Sequence, residues 1–409
     1  MMKKIEGGVT AAQGFEAASA AAQIKYKGRT DMALVFSKAP CVSAGAFTTN
    51  IVQAAPVIWD RDRVYSGAAA HAVIVNSGVA NACTGQEGLE FCRQTAQEAA
   101  ECLGIDENSV LVGSTGVIGF HLPMDRIRAG VRMLAAAKRP GLEAGAEAAR
   151  AIMTTDTVPK EVAYEIEVGG KKAIVGGMAK GSGMIHPNMC TMLGYVTTDA
   201  AIEKKLLQKA LSEIVDETFN MISVDGDTST NDTLLVLANG LAGNAVIADA
   251  ESEDYKVFYE ALFAVCKDLA MKMAGDGEGA TKLIETKIIH ADTRENARIF
   301  AKSVITSSLT KAAVFGRDAN WGRILCALGY SGAKFDPENC DLYFGEGEDK
   351  MLIFTGGSAA DYSEAKAKEL LSGEKVSILA DMHMGDAKAT AWGCDLSYDY
   401  VKINADYRS

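Results

Sequence analysis

The chain has 409 residues, of which 48% are hydrophobic and 23% are charged, so it can bury two or three domain-sized cores. Its net charge of -12 argues against nucleic acid or an anionic membrane surface as the main partner and favours a small polar metabolite. The amino terminus lacks the apolar core of a signal peptide and no apolar run approaches a membrane span, so we expect a cytoplasmic protein.

The first 180 residues alternate short apolar runs with amphipathic stretches. Helical spacing over 87–103 stops at Gly104, which is a typical residue after a helix end. The pair Gly169-Gly170 separates two alternating runs and predicts a hairpin. The predicted elements of this half are strands at 71–75 and 109–112, helices at 87–103, 124–138 and 142–153, and a hairpin over 161–177.

The second half of the chain also alternates short apolar runs with amphipathic stretches. Thr198-Asp199 has the residue types of a helix N-cap, and a helical pattern follows it. Further elements are helices at 200–218, 255–273 and 294–308, and strands at 282–289, 342–344, 351–355 and 376–381. This mixture of elements predicts an α/β or α+β protein built in layers.

The segment from 180 to 199, KGSGMIHPNMCTMLGYVTTD, has an unusual pattern. A glycine-rich stretch leads to a turn at Pro187-Asn188, and an apolar run follows in which we expect a strand to start. Thr191 then lies in a buried strand directly after a sharp bend. A buried threonine is by itself more often a core residue whose hydroxyl bonds a neighbouring carbonyl.

The phrase KGSGMIHPNMCTML resembles the self-processing segment of the ornithine acetyltransferase family, KGxGMIxPNMATML. The resemblance continues in the same order along the chain, through NSGVANACTG, GSTGVIG, TTDTVPK, DGDTSTND, DGEGATKLIE, GRDANWGR and AWGCDLSYDYVKINADYRS. It implies a layered αββα sandwich of the ornithine acetyltransferase or DmpA-like type, with two sheets between helices. It also implies a chain cut into an alpha chain, residues 1–190, and a beta chain, residues 191–409.

The implied chemistry centres on Thr191 as a nucleophile. Its hydroxyl would attack the carbonyl of Cys190, and water would then hydrolyse the resulting ester and free an amino-terminal threonine. A free α-amine ordinarily titrates at about pH 7.7–8.0, so it can act as the base for the hydroxyl beside it. The resemblance implies that Thr191 next accepts acetyl from N2-acetylornithine and passes it to glutamate, without a cofactor.

The resemblance also carries over the rest of the site. Thr115 and Gly116 in GSTGVIG would form the oxyanion hole, although this loop alone is equally typical of a plain strand-to-helix turn or a phosphate-binding loop. The implied substrate contacts are Thr154, Lys180, Thr191, Glu278, Asn404 and Ser409. Cys190 stands where the family commonly has alanine, and Ser409 where members often end in threonine.

Other patterns favour no metal. The nine cysteines contain no CxxC pair, and the histidines lack ligand spacing such as HExxH. DGDTSTND lacks a glycine and a terminal glutamate at the spacing of an EF-hand calcium loop. We expect the histidines, including His186 beside the cut, to be structural.

Several alternatives stay open. Some family members use only N2-acetylornithine, whereas others also accept acetyl-CoA as a co-substrate. The scaffold could instead serve an amino-terminal nucleophile hydrolase or aminopeptidase, or an uncleaved amino-acid-binding protein in which Lys180 and Glu278 hold a zwitterion. For the enzyme, the resemblance implies a heterotetramer of two alpha and two beta chains.

Overall fold

The computed structural model describes residues 2–186 and 192–406. The predicted cleavage residues Cys190 and Thr191, the turn at 187–188 and the predicted contact Ser409 lie outside the described residues.

The strands span most of the chain. Their bounds are β1 Lys3–Ile5, β2 Phe15–Ala20, β3 Met32–Phe47, β4 Ala70–Val79, β5 Val110–Val117, β6 Lys160–Val168, β7 Lys171–Lys180, β8 Leu193–Thr198, β9 Ile222–Ser223, β10 Thr233–Ala238, β11 Leu283–Ala291, β12 Asp341–Phe344, β13 Met351–Thr355, β14 Ser358–Ala359, β15 Lys375–Asp381 and β16 Ala387–Cys394.

The helices alternate with these strands. Their bounds are α1 Ala55–Ser66, α2 Gly85–Leu103, α3 Met124–Ala137, α4 Leu142–Ala151, α5 Lys204–Glu217, α6 Glu253–Gly275, α7 Arg294–Thr306, α8 Ser308–Gly316, α9 Trp321–Gly329, α10 Glu364–Leu370 and α11 Tyr398–Asp406. None of the helices that the structure describes is both long and apolar enough to cross a membrane.

The long strand β3 joins two packed sheets. Its first half pairs with β2 and β4, with Leu34 opposite Ala18 and Ile74. Its second half pairs with β10, with Ala46 opposite Leu234. By hydrogen bonding these strands form one continuous nine-stranded sheet, with the path β1-β6-β7-β8-β10-β3-β4-β5 and with β2 also paired to β3. We divide this path at β3 into a first sheet of β2, β3, β4 and β5 and a second sheet of order β1-β6-β7-β8-β10-β3.

Alternating side chains give each sheet two buried faces. Val73 and Val75 of the first sheet share a core with Tyr195 and Leu235 of the second, so the two sheets pack face to face. On the outer faces, Ile74 lies in a core with α2 and α3, and Val236 in a core with α5 and α6. This layer order confirms the predicted αββα sandwich.

A third sheet, of order β14-β13-β12-β15-β11-β16-β9, extends the sandwich and was not predicted as a separate layer. Helix α6 contacts β6 and β7 on one side and β16 on the other, so it lies between the second and third sheets. This position explains why α6 is buried along many of its residues, including Phe258, Leu262 and Leu269.

Most predicted elements are present with boundaries shifted by a few residues. The hairpin turns at Gly169 and Gly170, whose φ values of 56° and 70° require a residue that tolerates left-handed backbone. The predicted N-cap at Thr198-Asp199 is wrong: α5 begins at Lys204. Asp199 instead accepts the backbone N–H groups of Gln13 at 2.9 Å and Ile174 at 2.7 Å, so a tertiary role replaces the local one.

Candidate active site

A cavity of about 150 Å³ lies where several separate segments of the chain meet. It is lined by the six described residues to which the sequence assigned a catalytic or binding role: Thr115, Gly116, Thr154, Lys180, Glu278 and Asn404. Met192, the first described residue after the predicted cleavage point, also lines the cavity. The roles of these residues remain predictions, but their common location makes one shared site.

The predicted oxyanion loop forms the end of β5. Gly116 pairs with Gly78 of β4, and its φ of 129° lies in the left-handed region. A Cβ atom at Gly116 would lie 2.3 Å from the carbonyl carbon of Gly78 and 2.5 Å from its oxygen. Because these are backbone atoms of a paired strand, only glycine fits at this position.

Asn231 connects the oxyanion loop to the opposite wall of the cavity. Its Nδ2 donates to the carbonyl oxygens of Ala80 at 2.6 Å and Ser114 at 2.8 Å, and the side chain is buried. Two residues later, the N–H of Thr233 donates to the carbonyl of Met192 at 2.8 Å. Asn231 and β10 thus fix the position of Met192 relative to the predicted oxyanion donors.

Asp225 orders the segment that leads to the predicted cleavage point. Its carboxylate accepts the N–H groups of Met184 at 2.6 Å and Ile185 at 2.9 Å. Met184 has a φ of 56°, which is uncommon for a residue with a side chain. The segment DGDTSTND, which contains Asp225, therefore holds the backbone that leads to the predicted cleavage point.

His186 lies on the same segment. Its Nδ1 is 3.1 Å from the hydroxyl of Ser223, and the ring is half-buried. Burial, followed by the nearby charge of Lys302, lowers the pKa of His186 to about 4. The imidazole is therefore neutral near pH 7, where it serves as a hydrogen-bonding group rather than a cation.

A buried chain of charges supports Lys180. Lys160, fully buried, donates to Asp156 at 2.7 Å and to Asp276 at 2.6 Å. Asp156 also accepts the N–H of Gly181 at 2.7 Å, and it lies 3.9 Å from the ammonium of Lys180. At that distance Lys180 is attracted to Asp156 without sharing a hydrogen bond, and it also lines the cavity.

Burial and the neighbouring charges shift the pKa values of Asp156 and Lys180. Burial by itself raises the pKa of Asp156, but Lys180, Lys160 and the N–H of Gly181 outweigh burial, so the net pKa lies below its ordinary value. Burial lowers the pKa of Lys180, while Asp156, Glu278 and Asp232 oppose that change.

We expect Asp156→Asn to lower the free energy of unfolding by about 3–5 kcal/mol at pH 7, because it removes the carboxylate that the buried ammonium groups of Lys160 and Lys180 share. The folded pKa of Asp156 is depressed, so its contribution is fully present above about pH 4 and is lost as the pH falls toward the folded pKa. Urea unfolding at pH 7 and pH 3 measures both effects, and the difference between wild type and variant should shrink in acid.

Glu253→Gln is the matched control, since Glu253 pairs with Lys256 at the same distance of 2.7 Å but on the surface. We expect it to cost less than about 1 kcal/mol. Equal losses in the two variants would contradict the structural role given to the buried network.

Glu278 and Asn404 close the other side of the cavity. The carboxylate of Glu278 is buried and accepts from Nδ2 of Asn404 at 2.7 Å. A Cβ at Gly183 would lie 2.4 Å from that carboxylate, and one at Gly279 would lie 2.6 Å from the N–H of Tyr400. These two glycines let the glycine-rich segment and α11 approach Glu278, and they explain how a residue so near the carboxyl terminus reaches the cavity.

The cavity therefore offers an ammonium group, a carboxylate, a glycine loop and an amide within one small volume. Lys180 and Glu278 carry opposite charges, an arrangement that suits an amino acid with its own carboxylate and amine. Sequence reasoning missed Asp156 and Lys160 as site residues. Their signal was the phrase TTDTVPK, but only the tertiary contact with Asp276, 116 positions later, shows that Lys160 is buried in an ion pair.

Several known proteins are similar to this chain. Residues 16–409 match the ArgJ family. The chain is 54% identical to the arginine biosynthesis bifunctional protein ArgJ of Symbiobacterium thermophilum, over the full length of both, and 47% identical to that of Bacillus subtilis, over 99% of this chain and 98% of the relative.

Among solved structures, the crystal structure of arginine biosynthesis bifunctional protein argJ from Bacillus halodurans is similar, with 47% identity and a TM-score of 0.50. The matched chain covers 52% of this chain and 98% of its own length. The chain in that crystal structure is thus about half as long as this one.

Proposed function

The chain belongs to the ArgJ family, and on this basis we propose that it is a glutamate N-acetyltransferase of arginine biosynthesis. In the proposed reaction, Thr191 takes acetyl from N2-acetylornithine as an ester, ornithine leaves, and glutamate accepts the acetyl group. One amide is exchanged for another of similar stability, so no energy source is required.

The observation that carries this proposal is the cavity that collects Thr115, Gly116, Lys180 and Glu278 beside Met192. Acyl transfer needs oxyanion donors close to the nucleophile, and an amino-acid substrate needs charges of both signs. In the proposed arrangement, Lys180 binds the α-carboxylate of either substrate. Glu278 accepts from the amino group or relays a proton to it.

Self-cleavage between Cys190 and Thr191 is part of the proposal. Strand β7, which ends at Lys180, pairs with β8, which begins at Leu193, so strands on both sides of the bond belong to one sheet. The two fragments would therefore remain associated through that ladder and the shared core. The half-length chain of the Bacillus halodurans relative has the size that such a cut would produce.

The relatives carry the word bifunctional in their names. We therefore include acetyl-CoA as a second acetyl donor to glutamate in the proposal. The predicted assembly is a heterotetramer of two alpha and two beta fragments. Two alternatives compete with this proposal. In a hydrolase on the same scaffold, water would accept the acyl group. A protein that only binds amino acids would need no nucleophile.

The test is to incubate purified protein with N2-acetylornithine and glutamate and to quantify ornithine, N-acetylglutamate and acetate. We expect ornithine and N-acetylglutamate to form in equal amounts, with little acetate. Acetate equal to ornithine would identify a hydrolase, and binding without turnover would identify a binding protein. A second assay with acetyl-CoA and glutamate, followed by free thiol release, tests the second donor.

A further inference from the structure

The third sheet carries a cluster of histidine and aspartate side chains at one edge, outside the candidate active site. His290 lies near the end of β11, Asp381 ends β15, and His383 follows two residues later. One potential ligand atom from each of these three side chains lies within 4.8 Å of the others. Among the residues that the structure describes, no other group of three histidine, cysteine or acidic side chains meets that spacing.

The distances in the cluster match those around a shared ion. Nδ1 of His290 lies 2.8 Å from Oδ1 of Asp381, and Nδ1 of His383 lies 3.3 Å from the same oxygen. Two ligands of a tetrahedral zinc ion, each at about 2.0–2.1 Å, are separated by roughly 3.3 Å. Both nitrogen–oxygen distances therefore lie within about 0.5 Å of that separation, and one ring nitrogen of each histidine lies within 4.8 Å of the other.

A fourth residue orients the second histidine. Nε2 of His383 lies 2.9 Å from Oδ2 of Asp341 at the start of β12. With the proton of His383 on Nε2, donated to Asp341, its Nδ1 carries the lone pair that a metal requires. This carboxylate–histidine pair is the usual outer support of a metal-binding imidazole.

The backbone holds both rings in place. His290 and His383 have φ values of 54° and 48°, in the region that glycine and asparagine occupy most easily. The carbonyl of His290 accepts the N–H groups of Met384 at 2.7 Å and Gly385 at 3.0 Å, so the loop that carries His383 is bonded directly to His290. The two rings are stacked with their centroids 6.5 Å apart.

We propose that His290, Asp381 and His383 form a binding site for a divalent transition-metal ion, with Asp341 as the orienting residue. Two imidazoles and one carboxylate suit Zn²⁺, Co²⁺ or Ni²⁺ rather than Mg²⁺ or Ca²⁺, which prefer oxygen ligands alone. Solvent supplies the remaining ligand, because the side chains of His290 and His383 are 51% and 39% exposed. The ion would link β11 to β15 and the loop after it, and so stabilise the edge of the third sheet.

The site is tested with tag-free, EDTA-treated protein that retains both predicted fragments. It is titrated with Co²⁺ and followed by its visible absorption, with Zn²⁺ as competitor. We expect one ion per chain and a rise in the thermal unfolding midpoint when the ion is added. His290→Gly and His383→Gly should each weaken binding at least tenfold. Glycine tolerates the left-handed backbone, so these variants should fold without the ion.

Asp341→Asn keeps both histidines and should weaken binding about 10–100-fold. His121→Ala is the control, since His121 also pairs with a carboxylate, that of Glu87 at 3.2 Å, away from the cluster. It should bind the ion as wild type does. The proposal is overturned if wild type takes up no ion, if the cluster variants bind as wild type does, or if Co²⁺ shows a thiolate charge-transfer band, which would assign the ion to an exposed cysteine.

Discussion

Thr191→Ala should yield a single full-length chain and no acetyl transfer. The side-chain hydroxyl is the proposed nucleophile both for cutting the bond to Cys190 and for carrying the acetyl group, so one substitution removes both reactions. We expect the turnover rate with N2-acetylornithine and glutamate to fall by at least about 10⁴-fold. Intact-mass measurement and a denaturing gel report cleavage, and N-acetylglutamate formation reports transfer.

Two controls separate the hydroxyl from other effects at this bond. Thr191→Ser keeps a hydroxyl and should still be cut and retain measurable transfer. Cys190→Ala changes the residue on the other side of the bond to the alanine common in the family and should be cut as efficiently as wild type. Fragments of residues 1–190 and 191–409 from Thr191→Ala protein would assign the nucleophile elsewhere.

Gly116→Ala should produce the second-largest loss of activity. The added Cβ would lie 2.3–2.7 Å from three backbone atoms of Gly78, so β4 and the end of β5 must separate. Such a displacement moves the predicted oxyanion donors away from the position at which charge develops. Because losing one oxyanion donor typically costs about 10²–10³-fold in turnover, we expect a decrease of that size in kcat at saturating substrate.

Gly119→Ala is the matched control in the same loop. Gly119 also has left-handed backbone, with a φ of 82°, but a Cβ there would meet no atom within 4 Å. It should cost about 1 kcal/mol of stability and leave kcat within a few-fold of wild type. The thermal unfolding midpoint of both variants distinguishes lost catalysis from lost folding. Turnover of Gly116→Ala equal to that of Gly119→Ala would contradict the role proposed for this loop.

The buried ion network has a consequence for substrate binding. Lys180 is almost completely buried, and a lone buried ammonium group tends to lose its proton. Asp156 counters this tendency, Lys160 pairs with Asp156, and Asp276 pairs in turn with Lys160. The proposed carboxylate-binding lysine therefore depends on residues that do not line the cavity.

The sequence by itself determined the local elements and the family. Alternating and helical apolar patterns located the hairpin at Gly169-Gly170 and helices such as α2, α3 and α6, because these elements depend on spacing within a short window. The eight phrases led to the family and named six described residues that line one cavity. None of these inferences required knowledge of which distant segments touch.

Tertiary structure decided the features that depend on contacts between residues far apart in the sequence. Asp199 has the residue type of a helix cap, yet backbone groups of Gln13 and Ile174 occupy it, and the helix starts later. Lys160 lies at the start of a strand, where a lysine is usually exposed to solvent. In the fold it is buried, and it pairs there with Asp276 from the second half of the chain. In both cases a partner far away in the sequence is decisive, because a charge removed from water needs hydrogen-bonding partners and only the fold brings these distant groups within reach.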